Sequence, residues 1–383
     1  MAKTDRKLVV SKAEPLKIVN HKLVVSKPVL SKVERAEPLK VAVLMGGIGQ
    51  ERDISIQSGQ CIAQALKEAG LNVVTADIRP DDMNILDHSD IDVFFIALHG
   101  RFGEDGQLQQ ILEDKGLIYT GSGPTASRLA FDKMASKKAF TEAGIVTPQA
   151  IEFNTNTKQL ESKLRQFARQ GVGSAVAPTD KYVIKPIRQG STIGVTIADD
   201  PRSAIIAAQK CLSEFGDCMI EQYIPGREIT VSILENRALP IIEIRSKTGF
   251  YDYHAKYISE QTQYLFDTID EPALVAKIYQ AALTCFNTLG CRGFARVDFI
   301  LGKDEIPYVL EINTIPGFTT HSLLPKAAAK VGLSMSDLCV RIIQAALFSH
   351  QPCPGVIARR PFNGRRGNLK SPQVYPGGYS TKQ

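Results

Sequence analysis

The first part of the folded body alternates short apolar runs with segments of helical periodicity. Residues 41–45 form a continuous apolar run that ends in a glycine pair, and residues 56–69 repeat apolar positions at helical spacing up to Gly70. Shorter apolar runs follow at 72–76, 92–97 and 117–120. Strands that alternate with helices predict a parallel sheet that is covered on both faces.

Two polar loops follow strands of this sheet, at the edge where parallel sheets bind their ligands. They cover residues 46–52 and 99–106. No GxxxxGK[ST] segment occurs, which excludes a P-loop protein. The segment 121–126 matches a dinucleotide-binding pattern, but no acid about 20 residues further on closes a plausible second strand. We therefore predict a helix-entry turn at 121–126.

The pattern changes after about residue 136. Lys185 ends an apolar strand and is followed by a turn rich in glycine and hydroxyl groups, which contains Gly190 and Ser191. This arrangement is typical of a lid whose backbone N–H groups and ammonium contact phosphate. An ordinary hairpin with an edge lysine has the same pattern, so the residues alone leave both interpretations open.

A further strand carries Glu221 into a turn that opens antiparallel strands over 229–245. A carboxylate that leaves an apolar strand beside amide and backbone groups can accept a hydrogen bond from an adenine amino group. The polar, aromatic-rich loop 250–257 is of the long kind that usually covers a site. This region is therefore predicted to border a binding site.

Two apolar runs around a polar turn predict a β-hairpin within residues 294–313. With the turn centred near 304–305, Asp298 lies opposite Glu311, and like charges at such positions destabilise a sheet. Asn313 shares a face with Glu311, because side chains two apart on a strand point the same way. Two carboxylates and an amide oxygen form a hard oxygen cluster suited to Mg²⁺. A solvated hairpin face with unpaired acids is the alternative that the hairpin alone leaves open.

Length and charge narrow the class of protein. The chain has 383 residues, of which 44% are hydrophobic, enough for a large core and two or three domains. Its net charge of +6 lies in its ends: residues 1–40 carry ten basic and four acidic residues, and residues 351–383 carry six basic and no acidic residues. The remaining body holds 30 basic and 36 acidic residues. A nucleic-acid module would carry basic residues on the body, so we predict no nucleic-acid partner.

Hydropathy and cysteine usage indicate the compartment. No apolar run approaches the ~18 residues of a membrane span, and the basic N-terminus lacks the apolar segment of a secretory signal. The seven cysteines are odd in number and show no CxxC spacing, which is typical of reduced thiols. We predict a cytoplasmic protein with no membrane partner.

Both ends of the chain differ in composition from the body. The hexapeptide Lys-Leu-Val-Val-Ser-Lys occurs at 7–12 and again at 22–27. Two copies are too few for a solenoid, which needs three or more units. Residues 1–39 are therefore predicted to be a flexible basic leader, and residues 351–383, rich in Pro, Gly and Arg, a disordered basic tail.

Several separated motifs occur in one order over residues 40–348. Each is weak alone, but their shared order and spacing are specific. They are Gly46-Gly47 with Glu51 and Arg52, Ser55 with Ser58, the run from His99 to Gly106, Asp132-Lys133, Lys185 with Gly190 and Ser191, Glu221 with Glu228, the run from Tyr251 to Tyr257, Arg296 with Asp298, and the run from Glu311 to Gly317. With these motifs the chain resembles the ATP-grasp enzymes, and specifically the D-alanine:D-alanine ligase family.

The resemblance implies an α/β protein with a three-domain ATP-grasp fold, in which an N-terminal parallel α/β sheet domain is followed by two α+β domains that clamp ATP. The implied boundaries are 40–135 for the N-terminal substrate-binding domain, 136–220 for the central lid domain and 221–350 for the C-terminal catalytic domain. A homodimer is implied as well.

The implied activity is ATP-dependent ligation of two D-alanines through D-alanyl phosphate, for peptidoglycan synthesis. Two Mg²⁺ ions, which Mn²⁺ can replace, would be held by Asp298, Glu311 and Asn313. The residues implied for ATP are Lys133 and Lys185 on the α and β phosphates, Lys256 on the γ-phosphate, Ser191 in the lid, and Glu221, Gln222, Ile224 and Glu228 on adenine and ribose.

The resemblance also implies residues for the amino acids. Glu51 would bind the ammonium of the first D-alanine, with His99 nearby. Arg296 and the backbone N–H of Gly317 would stabilise the oxyanion. The second D-alanine would be received by Ser322 and Leu323, and the loop would be held shut by a hydrogen-bonded trio of Glu51, Ser191 and Tyr257.

The second substrate depends on resemblance alone. Relatives that make the D-alanyl-D-lactate ester tend to carry Phe at the position of Tyr257, so Tyr favours the dipeptide. A ligase with D-serine or D-lactate as second substrate is the neighbouring alternative, and a catalytically silent nucleotide-binding protein would have lost metal and lysine positions that are present here. Departures from the family pattern, which bear on fine specificity and nucleotide affinity, are Gly49, Gln189, Thr192 and His254.

Overall fold

The computed structural model describes residues 38–153, 160–162, 164, 181–245 and 262–349, together with the backbone of 17–19 and 22–24. The loop 250–257, with Lys256 and Tyr257, lies outside the described residues, as do the tail 351–383 and most of the leader. Within the leader, β1 (Lys17–Val19) pairs with β2 (Lys22–Val24) in antiparallel register.

The N-terminal sheet is parallel, as the alternation of apolar runs and helical segments predicts. Its strands are β3 (Lys40–Gly46), β4 (Asn72–Ile78) and β5 (Val93–Ile96), in the order β4-β3-β5. Helix α1 (Arg52–Glu68) packs against β3 and begins earlier than the apolar periodicity indicates, because its first turn is polar and contains Asp53. The run 117–120 was expected to be a strand, but it forms an isolated bridge between Tyr119 and Phe94.

Three helices and a short 3₁₀ turn complete the N-terminal region. They are the 3₁₀ turn Asn84–Asp87, α2 (Gln107–Asp114), α3 (Pro124–Phe131) and α4 (Lys133–Glu142). Gly123 directly precedes α3, and Pro124 occupies its first position, where a missing N–H costs nothing. The predicted helix-entry turn at 121–126 is therefore confirmed.

A four-stranded antiparallel sheet follows, in the order β6-β9-β7-β8. Its strands are β6 (Ala150–Glu152), β7 (Tyr182–Lys185), β8 (Thr196–Ala198) and β9 (Met219–Gln222). Helix α5 (Pro201–Phe215) covers this sheet; Asp200 caps its start, and Gly216, at φ +82°, ends it. Lys185 is the last residue of β7, so the turn with Ser191 leaves directly from this sheet.

The third sheet is antiparallel and has six strands. They are β10 (Gly226–Leu234), β11 (Arg237–Ala238), β12 (Ile242–Arg245), β13 (Gln263–Phe266), β14 (Phe294–Gly302) and β15 (Pro307–Asn313), in the order β13-β12-β10-β14-β15 with β11 paired to β10. Helix α6 (Pro272–Thr288) packs on β10, β14 and β15. Its apolar face buries Ile278 and Phe286 against this sheet.

Strands β14 and β15 form the predicted hairpin. Asp298 lies directly opposite Glu311, and the register shifts immediately after Asp298. In the turn, the N–H of Gly302 donates to the carbonyl of Ile306 at 3.0 Å, and Glu305 adopts φ +59°. The predicted register and turn centre are both confirmed.

The last helices, α7 (Leu323–Lys330) and α8 (Met335–Ser349), share a core with the N-terminal sheet. One buried cluster contains Val43, Phe95, Phe318 and Ile343. The rings of Phe95 and Phe318 meet edge to face with centroids 5.7 Å apart. This packing brings the loop before α7 beside the N-terminal sheet.

Among the described residues, no single helix has both the length and the apolar character to cross a membrane. Helices α7 and α8 meet these criteria only when they are taken together, and a bend of 102° separates them.

Candidate active site

A cleft of about 560 Å³ is lined by the four-stranded sheet, α4 and the third sheet. Apolar side chains such as Val183, Ile300 and Leu310 alternate on its walls with charged groups. This size and mixed lining suit a ligand of nucleotide dimensions. Six residues implied for ATP line it, namely Lys133, Lys185, Glu221, Gln222, Ile224 and Glu228.

A smaller pocket of about 60 Å³ adjoins the cleft. It is lined by the six residues implied for the amino acids, which are Glu51, His99, Arg296, Gly317, Ser322 and Leu323, and by Ser191 and Asn313. Asp298 and Glu311 line both pockets. The two opposed carboxylates of the hairpin therefore stand where the pockets meet.

Asp298 is buried and held by three neighbouring side chains. Arg296 donates to both of its oxygens, Nε to Oδ1 at 2.8 Å and Nη2 to Oδ2 at 2.7 Å. Thr230 donates to Oδ1 at 2.6 Å, and the amide of Asn313 donates to Oδ2 at 3.0 Å. The Arg296 guanidinium thus offsets the repulsion that the opposed carboxylates would otherwise create.

Glu311, on the opposite strand, is paired with a buried lysine. Lys133 Nζ lies 3.2 Å from Glu311 Oε2 and donates to the carbonyl of Gln189 at 2.6 Å. Because Gln189 belongs to the turn that follows β7, this ammonium links α4, the hairpin and that turn.

The donor set at the hairpin fits Mg²⁺. Asn313 donates its amide N–H to Asp298, which leaves its amide oxygen for a cation. In the part of the chain that the structure describes, no three His, Cys, Asp or Glu side chains are grouped as metal ligands. A metal would therefore rest on two carboxylates and one amide oxygen, which suits a cation that completes its shell with water and phosphate.

Glu51 immediately precedes α1 and is 5% exposed. Ser191 Oγ donates to its Oε1, which joins the turn after β7 to the start of α1. A Cβ at Gly100 would lie 2.7 Å from Glu51 Oε2, and a Cβ at Gly190 would lie 2.9 Å from Oε1. A side chain at either glycine would therefore displace this carboxylate. Tyr257, the third member of the implied trio, lies outside the described residues.

A hydrogen-bonded chain joins His99 to the loop before α7. His99 Nε2 lies 3.3 Å from Ser58 Oγ, and Ser58 Oγ accepts from the backbone N–H of Phe318 at 3.2 Å. At the adjacent Gly317, a Cβ would lie 2.8 Å from Ser322 Oγ. A residue with a side chain at position 317 would push Ser322 away.

His99 supports a prediction about pH. Burial lowers the pKa of His99 to about 4; a hydrogen bond with the backbone of Ile315 opposes this effect, and the charge of Arg296 adds to it. Between pH ~6.5 and ~4 the unfolded chain therefore binds a proton at this residue that the folded chain does not. We expect the contribution of His99 to the free energy of unfolding to be fully present above pH ~6.5. At pH 5 the free energy of unfolding should be lower by about 2 kcal/mol.

Urea unfolding at pH 7.5 and pH 5 measures this effect. His99→Gln should lose less stability between the two pH values than the unsubstituted protein, by about 2 kcal/mol. His88→Gln is the matched control, because the side chain of His88 is 57% exposed. Equal losses in His99→Gln and in the unsubstituted protein would contradict the prediction.

Glu104 belongs to the motif from His99 to Gly106, which gave it no role, and its carboxylate lines the smaller pocket. It accepts from the backbone N–H of Gly100 at 2.7 Å. Burial raises its pKa well above the ordinary value, and the charge of Glu51 acts in the same direction. The available signal was its place in the polar run 99–106.

Glu221 lies between two ammonium groups. Lys185 Nζ donates to its Oε2 at 2.6 Å, and Lys137 Nζ lies 2.6 Å from its Oε1. Burial by itself would raise the pKa of Glu221, but the two lysines outweigh burial and lower it. Burial lowers the pKa of Lys137 to about 8. Lys137 was not among the residues predicted from the motifs. Its position one helical turn after Lys133 on α4 could have indicated that it lies near the same site.

Comparisons with known proteins show which family the chain belongs to. A family model described as D-ala D-ala ligase C-terminus matches residues 140–344, and one described as D-ala D-ala ligase N-terminus matches residues 81–122. The D-alanine–D-alanine ligase of Syntrophotalea carbinolica is 41% identical over 310 residues, which cover 80% of this chain and 96% of that protein.

Solved structures of this family have the same fold. The D-alanine–D-alanine ligase from Bacillus anthracis complexed with ATP matches with a TM-score of 0.66 at 34% identity, over 82% of this chain and 98% of that one. The VanG D-Ala:D-Ser ligase from Enterococcus faecalis matches with a TM-score of 0.67 at 25% identity, over 81% of this chain and 100% of that one. Similarity of this extent shows that the chain belongs to the D-alanine:D-alanine ligase family and has the ATP-grasp fold.

Proposed function

We propose that this protein joins two D-alanines to D-alanyl-D-alanine with ATP, for peptidoglycan synthesis. The observation that carries the proposal is the position of Asp298 and Glu311, which line both the larger cleft and the smaller pocket. A phosphoryl group passed from a nucleotide in one pocket to an amino acid in the other would cross between them at these carboxylates.

The larger cleft takes ATP, the ligand named for the Bacillus anthracis relative. Lys133 and Lys185 contact the α and β phosphates, since both ammonium groups line this cleft. Glu221, Gln222, Ile224 and Glu228 take adenine and ribose. Lys256, assigned to the γ-phosphate, belongs to the loop outside the described residues.

Two Mg²⁺ ions are assigned to Asp298, Glu311 and Asn313. Bound there, they would supply charge neutralisation at the β and γ phosphates. The protein's own share is to hold these oxygens at the junction of the pockets, with Thr230 and Arg296 fixing the Asp298 carboxylate.

The chemistry proceeds in two steps, because a carboxylate is a poor acyl donor. A carboxylate oxygen of the first D-alanine attacks the γ-phosphorus, the bond to the bridging oxygen breaks, and ADP leaves with D-alanyl phosphate behind. The neutral amine of the second D-alanine then attacks the carbonyl carbon. The C–O bond to phosphate breaks, the nitrogen loses a proton, and inorganic phosphate leaves.

The smaller pocket orients both amino acids. Glu51 binds the ammonium of the first D-alanine, with His99 nearby, and Arg296 with the N–H of Gly317 stabilises the oxyanion of the tetrahedral carbon. Ser322 and Leu323 receive the second D-alanine, Ser322 through its carboxylate. Helix α7 begins at Leu323, and a helix N-terminus favours an anion.

Exclusion of water protects the acyl phosphate from hydrolysis. The contact between Ser191 and Glu51 supports a closed arrangement, because it joins the turn after β7 to the start of α1 beside the smaller pocket. We assign the third contact of this closure to Tyr257. Ser191 and Thr192 both adopt left-handed φ values, +53° and +61°, as residues of functional turns often do.

The alternative second substrates are D-serine and D-lactate. D-Serine is supported by one structural relative, which is named a D-Ala:D-Ser ligase. Tyr257 favours D-alanine over D-lactate. We also assign the protein a homodimeric state and a cytoplasmic location. The location is supported by six cysteines in the described part of the chain, which are free thiols as expected in a reducing compartment.

Phosphate release tests the proposed function. Purified protein with Mg²⁺ and ATP is given D-alanine alone, L-alanine alone, or D-alanine with D-serine or D-lactate, and the products are identified by mass. We expect phosphate and D-alanyl-D-alanine with D-alanine alone, and no release with L-alanine. If only a mixed pair turns over, the assignment of the second substrate is wrong while the phosphate chemistry stands. If no amino acid stimulates release, the proposed function is wrong.

A further inference from the structure

Lys137 is a buried lysine behind the wall of the larger cleft. It is 4% exposed, and its side chain is not among those that line the cleft. Among the described residues, its ammonium contacts Glu221 Oε1 at 2.6 Å, the carbonyl of Pro148 at 2.9 Å and the hydroxyl of Thr147. Lys137 therefore acts on a ligand in the cleft only through a neighbour.

That neighbour is Glu221, whose carboxylate lines the cleft and is 2% exposed. A carboxylate so deeply buried stays ionised only with positive partners close by. Lys185 is one partner, at 2.6 Å from Oε2. Under the proposed function, however, the Lys185 ammonium also serves the phosphates, so Glu221 has to share it.

Lys137 does not line the cleft, so its ammonium is not shared with the phosphates. Its other two contacts, with Thr147 and Pro148, anchor it to the segment before β6. The Thr147 hydroxyl in turn donates to the carbonyl of Val309 in β15 at 2.8 Å. The ammonium is thus fixed on the side of Glu221 that faces away from the cleft.

We propose that Lys137 is a positioning residue that keeps Glu221 ionised and aimed at the 6-position of the purine, and that it thereby makes the enzyme select adenine nucleotides. An ionised carboxylate only accepts hydrogen bonds. It therefore favours the 6-amino group of adenine, a donor, over the 6-oxo group of hypoxanthine, an acceptor. This inference rests on the proposed function, which assigns adenine to Glu221.

A purely structural role for Lys137 makes a different prediction. If its contacts only tie α4 to residues 147 and 148, losing them would lower stability and affect ATP and inosine triphosphate equally. The ratio of kcat/KM for ATP to kcat/KM for inosine triphosphate separates the two roles, because damage to the fold cancels in it.

The test compares Lys137→Gln with the unsubstituted protein. Glutamine can still hydrogen-bond Thr147 and Pro148 but carries no charge. We expect the ATP preference to fall about tenfold or more, mainly through a higher KM for ATP. Lys137→Arg, which keeps the charge, should restore part of the preference. The matched control is Lys138→Gln, whose side chain is 77% exposed and should leave the ratio unchanged.

A double-variant cycle tests whether Lys137 acts through Glu221. Glu221→Gln should also lose the ATP preference, and adding Lys137→Gln to it should change the ratio no further. The proposal would be overturned if the two substitutions lowered the ATP preference independently and additively. It would also be overturned if folded Lys137→Gln kept the ATP preference of the unsubstituted protein.

A second variant keeps the inference testable if Lys137→Gln does not fold. Thr147→Val removes one hydrogen bond that orients the ammonium and leaves its charge, so the ratio should fall by a smaller factor, about threefold to fivefold. An unchanged ratio in Thr147→Val would then overturn the proposal.

The readout also separates this inference from the proposed function. If the unsubstituted protein does not turn over D-alanine, the proposed function fails. The role of Lys137 is then tested by comparing the thermal stabilisation that ATP gives with the thermal stabilisation that inosine triphosphate gives. If D-alanine turns over but the preference for ATP is the same in Lys137→Gln, only the inference about Lys137 falls.

Discussion

Replacing Glu311 with glutamine abolishes ligase turnover, with kcat at least about 10³-fold lower, and leaves the fold intact. The substitution keeps the shape of the side chain but removes one of the two charges at the junction of the pockets. Lys133 loses a partner at 3.2 Å yet keeps the carbonyl of Gln189 at 2.6 Å, so its burial remains compensated. Phosphate release measures kcat, and circular dichroism with thermal unfolding monitors the fold.

The matched control for this variant is Glu305→Gln, in the exposed turn of the same hairpin, which should behave like the unsubstituted protein. Mn²⁺ binding followed by electron paramagnetic resonance gives a readout independent of turnover, and it should weaken in Glu311→Gln alone. Undiminished kcat in folded Glu311→Gln would show that the carboxylates do not hold the metal ions assigned to them.

Replacing Arg296 with glutamine lowers kcat by ~10²–10³ and changes KM much less. The guanidinium lines the smaller pocket and is held in place by both oxygens of Asp298. A donor fixed in this way is already oriented before charge develops on the carbonyl oxygen, so its contribution falls on the transition state rather than on the bound substrate. Steady-state kinetics with D-alanine varied at saturating ATP separates the two parameters.

Lys at position 296 keeps the charge but lacks the planar fork, so Arg296→Lys should recover only part of the lost kcat. Arg292→Gln serves as the control, because Arg292 Nε donates to the carbonyl of Gly121 at 2.8 Å, away from both pockets. If Arg296→Gln raised KM and left kcat unchanged, Arg296 would bind the ground state and the oxyanion assignment would be wrong.

The hairpin illustrates what sequence alone can predict. Its turn, its two apolar runs and the alternation of strand side chains are all local, and a one-residue slip would turn every apolar side chain to the wrong face. Asp298 was therefore expected opposite Glu311, and it lies there. The helix-entry turn at 121–126 was predictable for the same reason, because glycine and proline act on their immediate neighbours.

Elements that depend on a distant partner were harder to predict. The run 117–120 has the apolar character of a strand, but among the described residues it forms a single bridge, with Phe94. A strand exists only where a neighbouring edge accepts its hydrogen bonds over several residues. The sequence carries no local signal for the length of that pairing.

Local patterns along the chain were enough to predict the alternating parallel sheet and the register of the hairpin, and the order of the motifs was enough to predict the family. Which charged groups meet depends instead on how distant parts of the chain pack. Ser191 reaches Glu51 across 140 positions, Lys133 reaches the carbonyl of Gln189 across 56, and Lys137 stands behind Glu221. The energy of such contacts depends on distance and burial. Both arise when separate sheets pack together, so spacing along the chain does not reveal them.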